Sequence, residues 1–310
     1  MSSESFVGID VSKDHLDVHV RPAGTARRFA NTDAGLRQLA KFLTPIAPTL
    51  VVLEATGGYS RAVVAALAAD RVPVVVLNPA RAREFAHALG RRAKTDAAVP
   101  AESADRIRPT PRPLPDADTL RLQALVARRR QVVEMRAMEG NRADPASDRA
   151  VKRSLSAVAR ALDKELERLD RDLAAAVEAS PAWREKDELL RSIPGIGPVV
   201  SRTLLADLPE LGTLTREQVA ALVGVAPANR DSGRHTGRRS VRGGRASVRA
   251  AVYMGAMSAR LHNPALKAFA DRLAKAGKAG KAIITAVARK LVVIANAVLQ
   301  KKSPWQPQVA

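Results

Sequence analysis

The sequence contains no cysteine, and only 3% of its 310 residues are aromatic. The lack of cysteine excludes a disulfide scaffold, a cysteine nucleophile and a thiolate metal site. The scarcity of aromatic side chains disfavours the base-stacking platforms of single-strand-binding proteins. No apolar run reaches 18 residues, and residues 1–5 lack the basic and apolar regions of a signal peptide, so we expect no membrane span and a cytoplasmic protein.

Acidic residues are also scarce. The 31 Asp and Glu oppose 51 Lys and Arg, which gives a net charge of +20. Of the basic residues, 38 are Arg, the better bidentate ligand of phosphate. A GC-rich genome would explain part of the arginine excess, but it would not explain the shortage of acids. Such a charge favours a polyanionic partner, either nucleic acid or an anionic membrane.

The first third of the chain alternates between strand and helix patterns. Five stretches are predicted as strands. Residues 6–11, 49–54 and 72–77 are short apolar runs, residues 16–20 alternate with period two, and residues 27–31 would add a third strand to a meander. Helical spacing follows Asp33, which can cap the helix, and recurs at residues 59–67. Three early strands followed by alternating helix and strand predict an α/β fold with a mixed sheet.

The rest of the chain reads as mostly helical. A proline-rich segment at residues 106–116 is typical of a semi-extended linker. Apolar residues then step by three or four from Leu155 to Val177, and residues 140–148 should break this stretch from an earlier helix. Two antiparallel helices and a dimerising coiled-coil arm fit equally well. We predict four segments, at residues 5–105, 106–118, 119–184 and 185–302.

Three carboxylates occupy the ends of predicted elements. Asp10 is embedded in the first strand, Glu54 ends a buried strand, and Asp96 precedes a predicted helix. Such acids are usually solvated or act as caps, but Asp10 stands between two apolar residues. Burying a carboxylate without a partner is costly, so a cation or metal should match it. Oxygen ligands on adjacent strands suit Mg²⁺ and phosphoryl transfer.

Two features of the second half point to nucleic acid. Gly195 and Gly197 lie in a Pro-Gly-Ile-Gly turn between helices, which is typical of a helix-hairpin-helix whose amides face a phosphate; an ordinary helical hairpin is the alternative. Residues 230–249 form the most basic stretch, with Arg230, Arg234, Arg238, Arg239, Arg242, Arg245 and Arg249 against the single acid Asp231. We expect this glycine-rich stretch to grip a phosphate backbone.

Ser232 lies within this basic stretch. A lone serine before glycine is most often a turn residue, and chemistry alone favours that interpretation. His235 is three residues away, but no motif supports it as a catalytic base.

Several motifs together resemble one family. Gly8-Ile9-Asp10-Val11-Ser12-Lys13, Glu54-Ala55-Thr56-Gly57-Gly58-Tyr59, Asn78-Pro79 and Lys94-Thr95-Asp96-Ala97 resemble the catalytic domain of the DEDD transposases of "one-ten" insertion sequences, the bridge-RNA recombinases. The stretches 193–222, 224–244 and 263–291 resemble the C-terminal domain of the same family.

The resemblance carries several expectations. It implies a ribonuclease-H-like, RuvC-like first domain in which Asp10, Glu54 and Asp96 bind Mg²⁺. It implies that Ser232 is a nucleophile that forms a covalent phosphoserine link to DNA. It also implies donor and target DNA, a non-coding guide RNA and a homodimer or tetramer, and hence a place at the bacterial nucleoid.

The sequence departs from the family motif at the fourth acid. The family reads Lys-Thr-Asp-x-x-Asp-Ala, and here Val99 occupies the last aspartate position, followed by Pro100. Glu102 takes over through a bent backbone, or this copy has lost its fourth ligand. We therefore keep two alternatives to an active transposase: a metal-dependent nuclease of the junction-resolvase type, and a decayed copy that binds DNA without catalysis.

Overall fold

The computed structural model describes residues 4–54, 58–77, 82, 84–85, 98–111, 115–228 and 240–307. The chain divides into two compact units, Met1–Leu114 and Pro115–Ala310. The long helices predicted for the middle of the chain therefore belong to the same unit as the C-terminal region.

The first unit is built on a five-stranded mixed sheet, which confirms the prediction. Its strands in spatial order are β3 (Thr25–Ala30), β2 (His15–Arg21), β1 (Phe6–Val11), β4 (Leu50–Glu54) and β5 (Val74–Leu77). The first three pair as an antiparallel meander, whereas β4 and β5 run parallel to β1. Since side chains alternate along a strand, the two faces of the sheet carry different sets of residues.

Helices cover both faces of this sheet. Helices α1 (Asp33–Leu43) and α2 (Ser60–Ala69) bury one face, where Val7, Ile9 and Val11 point. Helix α3 (Ala98–Ile107) covers the opposite face, where its Ala104 packs with the small cluster of Phe6, Leu50 and Val52.

The start of α1 differs by one residue from the prediction. Thr32, not Asp33, is the N-cap: its backbone is extended and its side chain accepts a hydrogen bond from the Gly35 amide. Asp33 instead lies in the first turn, where its negative charge interacts favourably with the positive end of the helix dipole.

The second unit begins with a two-helix arm. Helices α4 (Ala117–Ala143) and α5 (Arg149–Glu178) pack antiparallel, as two ion pairs between them show: Arg129 with Asp170 and Arg136 with Asp163. The break between them is shorter than predicted, because α4 continues past Gly140. Asp148 then caps α5 by accepting from the amides of Ala150 and Val151.

In its described residues, the second unit also contains six further helices and a short hairpin. They are α6 (Pro181–Arg191), α7 (Pro198–Asp207), α8 (Arg216–Val223), α9 (Ala246–His262), α10 (Pro264–Lys275) and α11 (Gly280–Lys301), with strands β6 (Pro227–Ala228) and β7 (Ser240–Val241). By length and composition alone α11 is apolar enough to cross a membrane, but half of that stretch is buried. Val287, Ala288 and Leu291 lie fully inside, as expected of a core helix.

Candidate functional site

A row of charged residues crosses the sheet of the first unit. Arg28 on β3 is the register partner of Asp17 on β2, and Asp17 is the partner of Asp10 on β1. Ile9 pairs with Leu53, so the parallel register brings Glu54 beside Asp10 at the next position. Paired residues share a face, and this is the face that α3 covers. The structure thus brings together two of the three predicted metal ligands.

Asp10 is the carboxylate of this row whose pKa is perturbed. Its half-buried position raises the pKa of its carboxyl above the ordinary value, and the negative charge of Asp17 raises it further. The Val11 amide acts in the opposite direction by donating a hydrogen bond to the carboxylate. A cation beside Asp10 would relieve both unfavourable contributions.

Asp17 is fixed by Arg28, a contact that the sequence did not reveal. Arg28 donates two hydrogen bonds to it, from Nε at 2.6 Å and from Nη2 at 3.1 Å. The ten residues between them carry no signal of this pairing. Only the meander register, which places the two side chains opposite each other, could have predicted it.

The third predicted ligand, Asp96, lies outside the described residues, but the helix that follows it is well placed. Asp105 of α3 pairs with Arg21, the register partner of Phe6 at the start of β1. The C-terminal end of α3 therefore lies over the start of β1. The helix, which spans about 15 Å, also contacts β2 and β4, the neighbours of β1.

Val99 and Glu102 are both buried in α3. Oε1 of Glu102 lies 3.0 Å from Nε of Arg106. Arg106 is one turn further along α3, near the C-terminal end of the helix. This ion pair occupies one of the two oxygens of the Glu102 carboxylate, the predicted substitute for the fourth acid. That role stays a prediction.

In the second unit, the glycine turn has the geometry predicted for a helical hairpin. Gly195 has a φ of +105°, and a Cβ there would collide with Ala259 of α9, so only glycine fits. Gly197 is the exposed N-cap of α7, with open space around its Cα. The amides of the first turn of α7 lack intrahelical partners by geometry, and they can face an anion.

Most of the arginine-rich stretch falls outside the described residues: Arg230, Ser232, Arg234, His235, Arg238 and Arg239. The base of the loop that carries them is described. Strands β6 and β7 pair across it, and Gly224 and Gly244 approach so closely that a Cβ on either would strike the other segment. Both ends of this 11-residue loop are therefore fixed by backbone contacts.

Three arginines of the basic stretch are described, Arg242, Arg245 and Arg249, and the first two differ in their contacts. Arg242 is exposed. Arg245 donates from both terminal nitrogens to the Glu210 carboxylate at 2.6 Å, and also to the Asp207 carbonyl. Arg245 therefore anchors the loop base to the end of α7, and it would reach a phosphate only by breaking this pair. Glu210, which sequence analysis missed, lies 35 residues away.

Comparison with known proteins matches both units to one family. A DEDD-type model of the IS110 group, described as "Transposase", matches residues 7–146. A second model, described as "Transposase IS116/IS110/IS902 family", matches residues 187–271. The chain belongs to the IS110 family of DEDD transposases. Membership of this family implies an enzyme of DNA strand transfer.

Individual proteins similar to this IS110-family chain include gene-inverting and insertion-element proteins. It is 26% identical over 321 aligned positions to the "Pilin gene-inverting protein" of Moraxella bovis, covering 99% of each chain. The protein of the same name from Moraxella lacunata matches equally. An "Insertion element IS116 uncharacterized 44.8 kDa protein" of Streptomyces clavuligerus is 28% identical over 62% of this chain and 46% of its own length.

DEDD transposases typically use a divalent metal, and the donor set here fits one. Asp10 and Glu54 supply hard carboxylate oxygens from neighbouring strands, and the raised pKa of Asp10 marks a position where negative charge is poorly compensated. Within the described residues, no three Asp, Glu or His side chains gather closely enough to hold a metal. A complete site therefore needs Asp96 or another ligand from outside them.

Proposed function

We propose that this protein is a DNA recombinase that cuts and rejoins DNA strands, with a serine nucleophile assisted by a carboxylate-bound metal. The observation that carries the proposal is the juxtaposition of Asp10 and Glu54 on the α3 face of the sheet, in a chain whose two units both match the family. A five-stranded mixed sheet with helices on both faces supports a ribonuclease-H-like fold for the first unit.

The proposed chemistry is a phosphoryl transfer to Ser232. Its Oγ attacks a backbone phosphorus, a new O–P bond forms, and the bond from phosphorus to one deoxyribose oxygen breaks. The hydroxyl proton leaves Ser232, and the displaced oxygen takes up a proton. One phosphoester bond thus replaces another, and the broken strand stays attached to the protein through a phosphoserine link. Asp10, Glu54 and Asp96 would hold a divalent cation such as Mg²⁺, which supplies Lewis-acid stabilisation of charge on the displaced oxygen.

The second unit would hold the DNA. The exposed first turn of α7 offers amides to a phosphate, and Arg242, with the loop arginines, offers guanidinium groups. The name of the two Moraxella relatives favours inversion of a DNA segment as one outcome of strand exchange. The IS110 assignment favours transposition as another.

Further copies of the chain and a guide RNA are the proposed partners. The arm leaves large apolar side chains exposed along both helices, at Val133, Met135, Met138, Val151 and Val158. Covering these side chains with the arm of another copy would bury apolar surface and give a homodimer or a tetramer. The guide RNA rests on the family resemblance alone, and a place at the nucleoid follows from the proposed DNA substrate.

The test is formation of a covalent protein–DNA adduct. Purified protein is incubated with a plasmid carrying the DNA that flanks its gene, the RNA transcribed from that flank, and Mg²⁺ or Mn²⁺, and is then resolved on a denaturing gel. We expect an adduct that Ser232→Ala and Asp10→Asn both abolish, while Ser240→Ala, a matched exposed serine in β7, retains it.

Other outcomes separate the alternatives. An adduct that survives Ser232→Ala would overturn the assignment of the nucleophile. Metal-dependent cleavage without an adduct, insensitive to Ser232→Ala, would favour a nuclease of the junction-resolvase type. No adduct and no cleavage with either metal would favour a decayed copy, as the valine at position 99 would explain.

A further inference from the structure

A second concentration of positive charge lies beyond the arginine-rich stretch, around the turn between α10 and α11. Seven of the 13 lysines of the chain fall within residues 267–302. Six basic side chains on α10, on α11 and in their connection are exposed, and we call them the lysine turn: Lys267, Arg272, Lys275, Lys278, Lys281 and Lys290.

The charge of the lysine turn is not neutralised within the described part of the chain. None of its six members forms an ion pair there, whereas arginines elsewhere pair repeatedly, as Arg129, Arg136 and Arg245 do. Residues 240–310 contain 13 basic residues and a single acid, Asp271. The basic residues of this segment therefore outnumber its acids by thirteen to one.

An aromatic ring gathers two of these cations without cancelling their charge. Nζ of Lys290 lies 4.2 Å from the centre of the Phe269 ring, and Cζ of Arg272 lies 5.4 Å from it. The ring attracts cations through its electron-rich face. It holds side chains of α10 and α11 beside each other while both remain available to an anion.

Helix polarity accounts for some of the six, but not for all. Arg272 and Lys275 lie in the last turn of α10, where cations are favourable. Lys278 and Lys281 flank Ala279, the N-cap of α11, which makes no side-chain capping bond. Cations at that end of a helix are unfavourable, because the helix dipole is positive there. Departures from local preferences of this kind are typical of functional sites. An external anion would neutralise the exposed cations at this helix end.

We propose that the lysine turn is a sequence-independent binding surface for the phosphodiester backbone of a nucleic acid, in addition to the loop between β6 and β7. Flexible lysines, with few fixed donors and no bidentate geometry, suit a mobile backbone better than a defined base. The inference rests on the proposed function only in requiring that the protein acts on nucleic acid.

The test compares two triple variants with the same change in net charge. One is Lys275→Gln, Lys278→Gln and Lys281→Gln. The matched control is Lys41→Gln, Lys152→Gln and Lys186→Gln, three exposed lysines scattered over the chain. Binding to a 30-base-pair duplex of arbitrary sequence and to an arbitrary 30-nucleotide RNA is measured by fluorescence anisotropy between roughly 50 and 200 mM salt.

We expect the lysine-turn variant to flatten the slope of log affinity against log salt by up to about 0.9 for each lost contact with duplex DNA, and by about 0.7 with single-stranded RNA. The scattered control should retain the wild-type slope. A change with only one of the two ligands would assign the surface to that nucleic acid. Equal slopes for the two variants would overturn the proposal.

The outcome is separable from the test of strand cleavage. If the wild-type protein forms the Ser232 adduct but the lysine-turn variant keeps its salt slope, only this surface is refuted. If the slope flattens although no adduct forms under any condition, the recombinase proposal fails and the surface stands.

Discussion

The arm and the C-terminal helices use positive charge in opposite ways. Residues 117–178 carry 13 basic and 11 acidic residues, and the arginines of the arm pair across or along its two helices. Residues 240–310 carry as many basic residues with a single acid. The difference teaches that the net charge of +20 is concentrated where few groups of the protein oppose it. Charge in the arm forms ion pairs across and along its helices, whereas no member of the lysine turn forms an ion pair within the described residues.

The largest expected change in stability comes from apolar packing where the arm joins the core of the second unit, because buried apolar contacts there contribute more to stability than ion pairs do. Leu173 is fully buried in the core of the second unit, so Leu173→Ala should lower the free energy of unfolding by about 2–5 kcal/mol. Chemical denaturation measures it. Val158→Ala, at an exposed position on the same helix, should cost far less, and equal costs would refute the assignment of Leu173 to the core.

A smaller loss is expected when the central acid of the arm is removed. Asp170 accepts two hydrogen bonds from Arg129, and its carbonyl accepts one from Arg202, whose pKa is lowered chiefly by burial. Asp170→Ala leaves both guanidinium groups without this carboxylate and should cost about 1–3 kcal/mol. The more exposed partner of Arg136 offers a control: Asp163→Ala should cost less than about 1 kcal/mol.

Neutralising the lysine turn should barely change stability, or should raise it. The triple change of Lys275, Lys278 and Lys281 to Gln removes repulsion at the start of α11 and breaks no described ion pair, so unfolding should shift by less than about 0.5 kcal/mol per site. Thermal melting in low salt measures this. A loss of several kcal/mol would show that these lysines serve the fold, and the contrast with the arm would disappear.

The smallest effect concerns the acidic row, where like charges meet. The raised pKa of Asp10 means that the folded state favours its protonated form. The contribution of Asp10 to the free energy of unfolding is therefore greatest at low pH, and it is lost as the pH rises through the raised pKa of Asp10. Without metal, Asp10→Asn should melt slightly above wild type near neutral pH, and this advantage should vanish below the unfolded pKa of about 3.9.

Added metal supplies the control for that experiment. Mg²⁺ or Mn²⁺ should raise the melting temperature of the wild type and leave Asp10→Asn unchanged. If the variant melts below wild type without metal at neutral pH, the carboxylate stabilises the fold by contacts that the row does not include.

Elements with strong local patterns could be predicted from the sequence. Strands β1, β4 and β5 contain short apolar runs and β2 alternates with period two. The stripe from Leu155 to Val177 matched α5 because burial of one helix face imposes that spacing. The capping residue was misplaced because Thr32 and Asp33 are both good caps, and only the backbone conformation decides between them.

Contacts between distant residues could not be predicted in this way. The pair of Arg245 with Glu210 forms because α7 and α9 pack together, and no local pattern records it. The row through Asp17 and Arg28 depends on strand register. For the site itself, the motifs indicated Asp10 and Glu54. The neighbouring positions of these two residues follow from the parallel pairing of β1 with β4.

The close fit of Gly195 against α9 makes the glycine hairpin and that helix one mechanical part. A Cβ at Gly255 would meet the Gly195 carbonyl, and one at Gly195 would meet Ala259, so no side chain separates the two backbones to allow sliding. The start of α9 is in turn fixed at Arg245, six residues after the end of the loop that carries Ser232. A phosphate held at the hairpin would then stand at a constant offset from the root of the loop.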